Sequence, residues 1–212
     1  MNIKPDDLVL EIGSGNNPNP RSDILCDRYL TDNSERAGGF PIVIDRPFVR
    51  CDAYALPFAD KTFDYVICSH ILEHMDDPKK FIAEVTRVGK AGYIEVPSAV
   101  SERIFGWSIH HWYCRVEKKG IILAPKSDGE RFGGFFHRLI ETQFWFRRYI
   151  DAHKDVIYSR LEWRESCPIR VEKSTREAYL TRLDTEANIF LRGAVPRQGK
   201  DLAYFMQWLS RR

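Results

Sequence analysis

The sequence predicts an open α/β fold around a mostly parallel, doubly wound sheet, and three observations predict it. Up to about Ser98, short apolar runs alternate with polar, turn-rich or helical stretches. The first run leads straight into the turn Gly13-Ser14-Gly15. The next three end in Cys26-Asp27, Cys51-Asp52 and Cys68-Ser69-His70. Strands that alternate with helical or turn segments favour a parallel sheet, and ligands of such sheets bind outside the carboxyl ends of the strands.

Taken in order, residues 8–12, 23–26, 47–51, 63–68 and 92–96 read as short buried strands. Asn16-Asn17-Pro18-Asn19-Pro20 fills the space between the first two, so the helix usual after a glycine turn is expected to be shortened or absent. Asp77-Pro78 predicts an N-cap with proline in the first helical turn. Phe81, Val85 and Val88 then recur at helical spacing, with Gly89 and Gly92 expected to end that helix. Beyond Ser98, residues 111–117 and 120–124 predict a hairpin around Lys118-Lys119. Residues 132–150 predict an aromatic helix whose Phe132, Phe136, Leu139, Phe146 and Ile150 share a face. Residues 156–163 and 169–172 read as further strands, and 201–209 as a short amphipathic helix.

The glycine turn narrows the ligand. Two close glycines permit a tight turn and a close backbone approach. Pro18 stands where a third glycine would complete a dinucleotide fingerprint, and proline offers no N–H. A nucleoside without a pyrophosphate suits the loop better. An acid after the second strand, Asp27, can accept hydrogen bonds from ribose hydroxyls, and an acid after the third, Asp52, from an adenine amino group.

Composition bounds the class. The 212 residues are 43% hydrophobic and 29% charged, as in a globular protein. No apolar run approaches the roughly 20 residues that span a bilayer. Five cysteines without framework spacing and a polar start predict a reduced, cytoplasmic protein. Residues 1–125 carry 15 Lys/Arg against 18 Asp/Glu, and residues 126–212 carry 17 against 12. The second part is thus mildly basic, without a dense Lys/Arg block, and no nucleic-acid partner is expected.

In combination, "VLEIGSG", "CDAYALPF", "FDYVICSHILEH" and "RVGKAGYIEVPS" resemble the motifs of class I S-adenosylmethionine-dependent methyltransferases, in their small-molecule, type 11-like branch. The resemblance covers roughly residues 7–98. It implies a Rossmann-like seven-stranded sheet whose last strands come from the C-terminal region, and S-adenosylmethionine as cofactor. It implies Glu11, Gly13, Ser14 and Gly15 near the methionine moiety, Asp27 on the ribose, Asp52 and Ala53 beside adenine, and Ser69 near the methionine end. Arg28 or Tyr29 would border the adenosine. Residues 1–98 then form the cofactor-binding core, and 99–212 the acceptor-side cover of the same domain. The implied activity is methyl transfer to an O or N atom of a small-molecule acceptor.

A hydroxyl acceptor must lose a proton as the methyl arrives, and histidine suits that role near neutral pH. His70 comes from the fourth-strand end, and His110 and His111 from the cover. In a strand, neighbours point to opposite sides, so at most one of the latter pair is expected to face the ligand. Phe105, Trp107, Trp112 and Tyr113 either pack in the core or face the sulfonium.

Other readings remain open. His70-Ile71-Leu72-Glu73-His74 matches H-x-x-E-H, a zinc-hydrolase pattern that needs one continuous helix. Against it, the run follows directly from a strand. Cys26, Cys51 and Cys68 read as small strand residues rather than as metal ligands. A catalytically silent donor-binding or scaffold module is a further alternative.

Overall fold

The computed structural model describes residues 1–34, 36, 39–117, 120–126 and 133–194. Five strands come from the first half: β1 (Val9–Ile12), β2 (Ile24–Asp27), β3 (Phe48–Arg50), β4 (Phe63–Ser69) and β5 (Gly89–Pro97). Each lies within a few residues of its sequence expectation. β8 (Tyr158–Arg164) joins them to give the order β3-β2-β1-β4-β5-β8, parallel except for β8. Apolar residues on both faces explain the burial of Val9, Leu10 and Ile12 on β1 and of Tyr65 to Cys68 on β4.

The expected seventh strand is not part of this sheet among the described residues, where it has six. Instead β6 (Trp112–Glu117), β7 (Gly120–Pro125) and β9 (Ile169–Val171) form a separate three-stranded sheet. β6 and β7 pair antiparallel as the expected hairpin does; Lys118 and Lys119 lie outside the described residues. Cys114, Ile121 and Leu123 of this sheet join Leu10, Val66 and Ile94 of the main one in a single apolar core.

The helix α1 (Pro78–Val88) begins as its sequence predicts, with Asp77 accepting a hydrogen bond from Lys80 N at 3.0 Å. It ends at Val88, and Gly89 passes directly into β5. Gly92 is therefore not a helix stop. It sits inside β5 opposite Trp163 of β8, where a Cβ would stand 2.7 Å from the indole ring.

Among the described residues four more helices follow, besides one turn of helix, α5 (Lys154–Ile157): α2 (Ala99–Phe105), α3 (Gly133–Thr142), α4 (Phe144–Ala152) and α6 (Glu177–Ala194). The single helix expected over residues 132–150 breaks at Gln143, which is extended. Thr142 closes α3 with a bond from its hydroxyl to Arg138 O at 2.7 Å. The break still lets Leu139, Phe146 and Ile150 enter one cluster with Phe105 and Phe190. Phe132 and residues 201–209 lie outside the described residues. No helix among the described residues is long and apolar enough to cross a membrane.

Candidate functional site

The loop after β1 is built without a helix. Gly13 and Gly15 take left-handed backbone angles, φ +69 and +55, which glycine adopts without strain. Gly13 N donates to Cys26 O at 2.8 Å, tying the turn to the end of β2. Glu11 holds the rest of the loop: its Oε2 accepts from Asn19 N at 2.7 Å and from the Ser22 hydroxyl at 2.6 Å. Burial pushes its carboxyl up from the ordinary range, and these two bonds oppose that rise. From the other side, Arg46 donates to Asn19 O and Ser22 O at 2.8 and 2.7 Å.

The two strand-end acids differ. Asp27 is largely enclosed, at 12% side-chain exposure. Its Oδ2 accepts from Gly15 N at 3.1 Å, and its Oδ1 from Tyr29 N at 2.9 Å and Arg36 at 3.3 Å. Asp52 is 42% exposed; Oδ1 accepts from Tyr54 N at 2.9 Å and Oδ2 meets Arg28 at 3.6 Å. The Cys26 and Cys51 sulfurs touch at 2.8 Å beside these acids, and the cysteines are free.

A cavity of about 1360 Å³ runs across the carboxyl ends of the parallel strands. That exceeds the ~300–1,000 Å³ of an ordinary ligand cleft and leaves room for two ligands together. Glu11, Gly13, Ser14, Gly15, Asp27 and Arg28 line it, as do Asp52, Ala53 and Ser69. So do His70, His110 and His111. Both members of the histidine pair reach it because they precede β6, so strand alternation does not apply to them. Among the four aromatics considered, Trp107 lines it, while Phe105, Trp112 and Tyr113 pack inside the protein.

The three histidines sit in different electrostatic settings. His70 has φ +55, and its Nδ1 and Nε2 stand 3.3 and 3.4 Å from Glu73 and Glu95 carboxylate oxygens. Burial works against its charge, but the two carboxylates outweigh it and push its pKa up to about 9. At neutral pH it is a cation and a proton donor. Glu95 is opposed by burial too, yet His70, Tyr93 and Arg160 hold it down at about 2. His110 is buried, with Nδ1 2.7 Å from Glu102 Oε2. His111 is more open, with Nδ1 3.2 Å from the exposed Asp76.

Glu95, Tyr158 and Arg160 line the same cavity without having been marked by the sequence, and Glu73 lines it after being marked only by the H-x-x-E-H pattern. Glu95 and Arg160 face each other only because β8 pairs antiparallel with β5. The H-x-x-E-H run does not form one helix: Leu72–His74 is a single 3-10 turn, and His70 lies before it.

The parallel order β3-β2-β1-β4-β5 sets a glycine turn and two strand-end acids over one cavity, and over part of its length the chain is similar to methyltransferases. Residues 25–94 match the family model described as a methyltransferase domain. The chain is 37% identical over 106 residues to a demethylmenaquinone methyltransferase of Renibacterium salmoninarum, covering 48% of this chain and 45% of the relative. It is 33% identical over 92 residues to ajmaline N-methyltransferase of Rauvolfia serpentina, covering 35% and 32%. Among solved structures, an S-adenosylmethionine-dependent methyltransferase of Thermotoga maritima aligns with TM-score 0.35 and 20% identity, covering 46% of this chain and 48% of that one. The chain spans less than half the length of either curated relative.

The residues present fit S-adenosylmethionine. Gly15 lines the cavity, and a Cβ built there meets only Gly13 O, at 3.9 Å, so the turn leaves open space for a ligand. Asp52 supplies an accessible carboxylate, and Ala53 an apolar wall beside it.

Proposed function

We propose that this protein transfers the methyl group of S-adenosylmethionine to an O or N atom of a small-molecule acceptor. One observation carries the reading: the glycine turn, the strand-end acids and the three histidines line one cavity. The donor supplies an electrophilic methyl on a sulfonium; the acceptor's lone pair forms the new bond as the C–S bond breaks and sulfur keeps the electron pair. The protein's part is alignment and exclusion of water. Residues 1–98 bind the donor: Asp27 and Asp52 hold the adenosine, Arg28 borders it, and Gly13, Ser14, Gly15 and Ser69 approach the methionine end. Glu11 acts by holding the loop. Residues 99–212 cover the acceptor. His110 takes a proton from a hydroxyl acceptor, because its Nδ1 is engaged by Glu102 and its other nitrogen remains. His70, protonated, orients the acceptor instead.

Calorimetry with S-adenosylhomocysteine tests the donor site. Losing a hydrogen bond from a charged group costs ~1.5–3 kcal/mol, so Asp52→Ala is expected to weaken binding roughly 10- to 150-fold. A wild type that binds nothing, or a folded Asp52→Ala with wild-type affinity, overturns the assignment. A silent module is the second reading, favoured by the missing helix after β1 and by Arg36 on Asp27. Accumulation of demethylated donor with a small-molecule fraction of cell extract rules it out.

A further inference from the structure

Two members of the H-x-x-E-H run meet a histidine from elsewhere in the chain. One ligand atom each of Glu73, His74 and His110 lies within 4.8 Å of the other two. The two imidazole rings meet edge to face, with centroids 4.7 Å apart. The segments that carry them are tied together: His111 N donates to Glu73 O at 2.9 Å, and Trp112 Nε1 to Met75 O at 2.8 Å.

Glu73 is the group that calls for a cation. It is 1% exposed, and neither of its carboxylate oxygens makes a hydrogen bond. The ring of His70 approaches Oε1 as an ion pair at 3.3 Å and compensates it only on that side. A buried carboxylate is costly unless it is paired and fully bonded or coordinates a metal. His110 is already oriented as a ligand. Its Nδ1 is taken by Glu102 Oε2, which leaves Nε2 as the ring's remaining lone pair. Glu102 is itself buried and held by Lys126 Nζ at 2.5 Å. A carboxylate behind the histidine is the arrangement that fixes the tautomer and ring of metal ligands.

We propose that Glu73, His74 and His110 bind a divalent transition-metal ion, Zn²⁺ by their chemistry. Two imidazoles and a carboxylate suit that ion, and ligand atoms bound at ~2.0–2.2 Å in a tetrahedron stand roughly 3.3–3.6 Å apart. The present separations close to that by side-chain rotation. All three residues line the cavity, so the fourth position opens to water or to a bound small molecule. The ion and the proton use the same nitrogen of His110, so its two roles exclude each other.

The test needs neither methyl donor nor acceptor, so its outcome is separate from that of the methyltransferase reading. Untagged protein, stripped with chelator, is titrated with ZnCl₂ by calorimetry and with Co²⁺ by visible absorption. One ion per chain is expected. Glu73→Gln, His74→Ala and His110→Ala are expected to lose about 100-fold or more in affinity, and Glu102→Gln about 10- to 100-fold. His111→Ala and the double variant Cys26→Ser/Cys51→Ser are expected to bind as the wild type does. Absence of stoichiometric binding by the wild type overturns the site. So does binding that survives in Glu73→Gln, or that disappears with the two cysteines. Glu73→Gln keeps the shape of the buried side chain, so it decides the matter even where a histidine variant fails to fold.

Discussion

At His70, backbone and charge act together. Its left-handed φ turns the chain out of β4, and two carboxylates from separate segments, Glu73 and Glu95, receive its ring. A proton NMR titration is expected to find its pKa near 9, against ~6.5 for a free histidine. Glu95→Gln should bring it down, since one of the two groups that raise it is then neutral. The sign for stability follows from linkage. The raised pKa stabilises the fold fully below about 6.5 and less as pH rises through about 9, so the gap in urea midpoint between wild type and His70→Ala should narrow over that window. The ring is 41% exposed, so solvent screening keeps this effect small. The sequence placed His70 in the pocket, but its charge state was illegible, because Glu95 comes from a neighbouring strand. A histidine at a strand end reads as a base until its partners are known. The Glu73, His74 and His110 cluster was hidden for a related reason. The sequence motif paired His74 with His70, whereas the chain delivers His110 from 36 positions beyond His74.

At the scale of elements, local pattern carried the parallel strands well, since buried runs bounded by turns are a local signal. The break at Gln143 and the separate sheet of β6, β7 and β9 were not legible, because tertiary packing decides them. α6 was missed although Leu183, Ala187, Phe190 and Ala194 mark its buried face. Two of those four are alanine, and the stripe is correspondingly faint. Gly92 shows the opposite error, a glycine read as punctuation when its meaning is close packing. A Cβ there would stand 2.5 Å from Val66 O and 2.7 Å from the Trp163 ring. Overpacking of this kind costs ~1–3 kcal/mol, so Gly92→Ala should lower the urea midpoint with an unchanged slope. The loop after β1 makes a second prediction. Glu11 does for that loop what packing of a helix would otherwise do, by accepting from Asn19 and Ser22. Glu11→Ala is expected to weaken S-adenosylhomocysteine binding through loop disorder while Asp27 and Asp52 stay in place. Faster amide hydrogen exchange over residues 16–22, with β4 unaffected, is the accompanying sign; unchanged exchange would assign Glu11 directly to the ligand.

At the scale of the molecule, the cavity joins two kinds of wall. The glycine turn, Asp27, Asp52 and Ser69 come from the strand ends of the parallel sheet, whereas Trp107, His110 and His111 come from the chain between α2 and β6. The second wall is fastened from behind: Glu102 of α2 holds both His110 and Lys126, and Arg103 of the same helix reaches Asp184 of α6 at 2.5 Å. Residues so distant in sequence meet only in the folded chain, which is why the first wall was readable from motifs and the second mainly from its histidines and aromatics. The division predicts a separation of binding from rate. In chelator-treated protein, where no ion competes for its nitrogen, His110→Ala should leave the affinity for S-adenosylhomocysteine within about twofold, because no donor contact is assigned to that wall. With a hydroxyl acceptor the same variant should lose ~10²–10⁴ in kcat, the usual contribution of a positioned base. The loss should shrink as pH rises and the acceptor ionises without help. Glu102→Gln should fall between wild type and His110→Ala, since it removes the carboxylate that orients the ring. A His110→Ala enzyme with wild-type kcat at neutral pH would move the chemistry to alignment alone, with His110 left to the metal site.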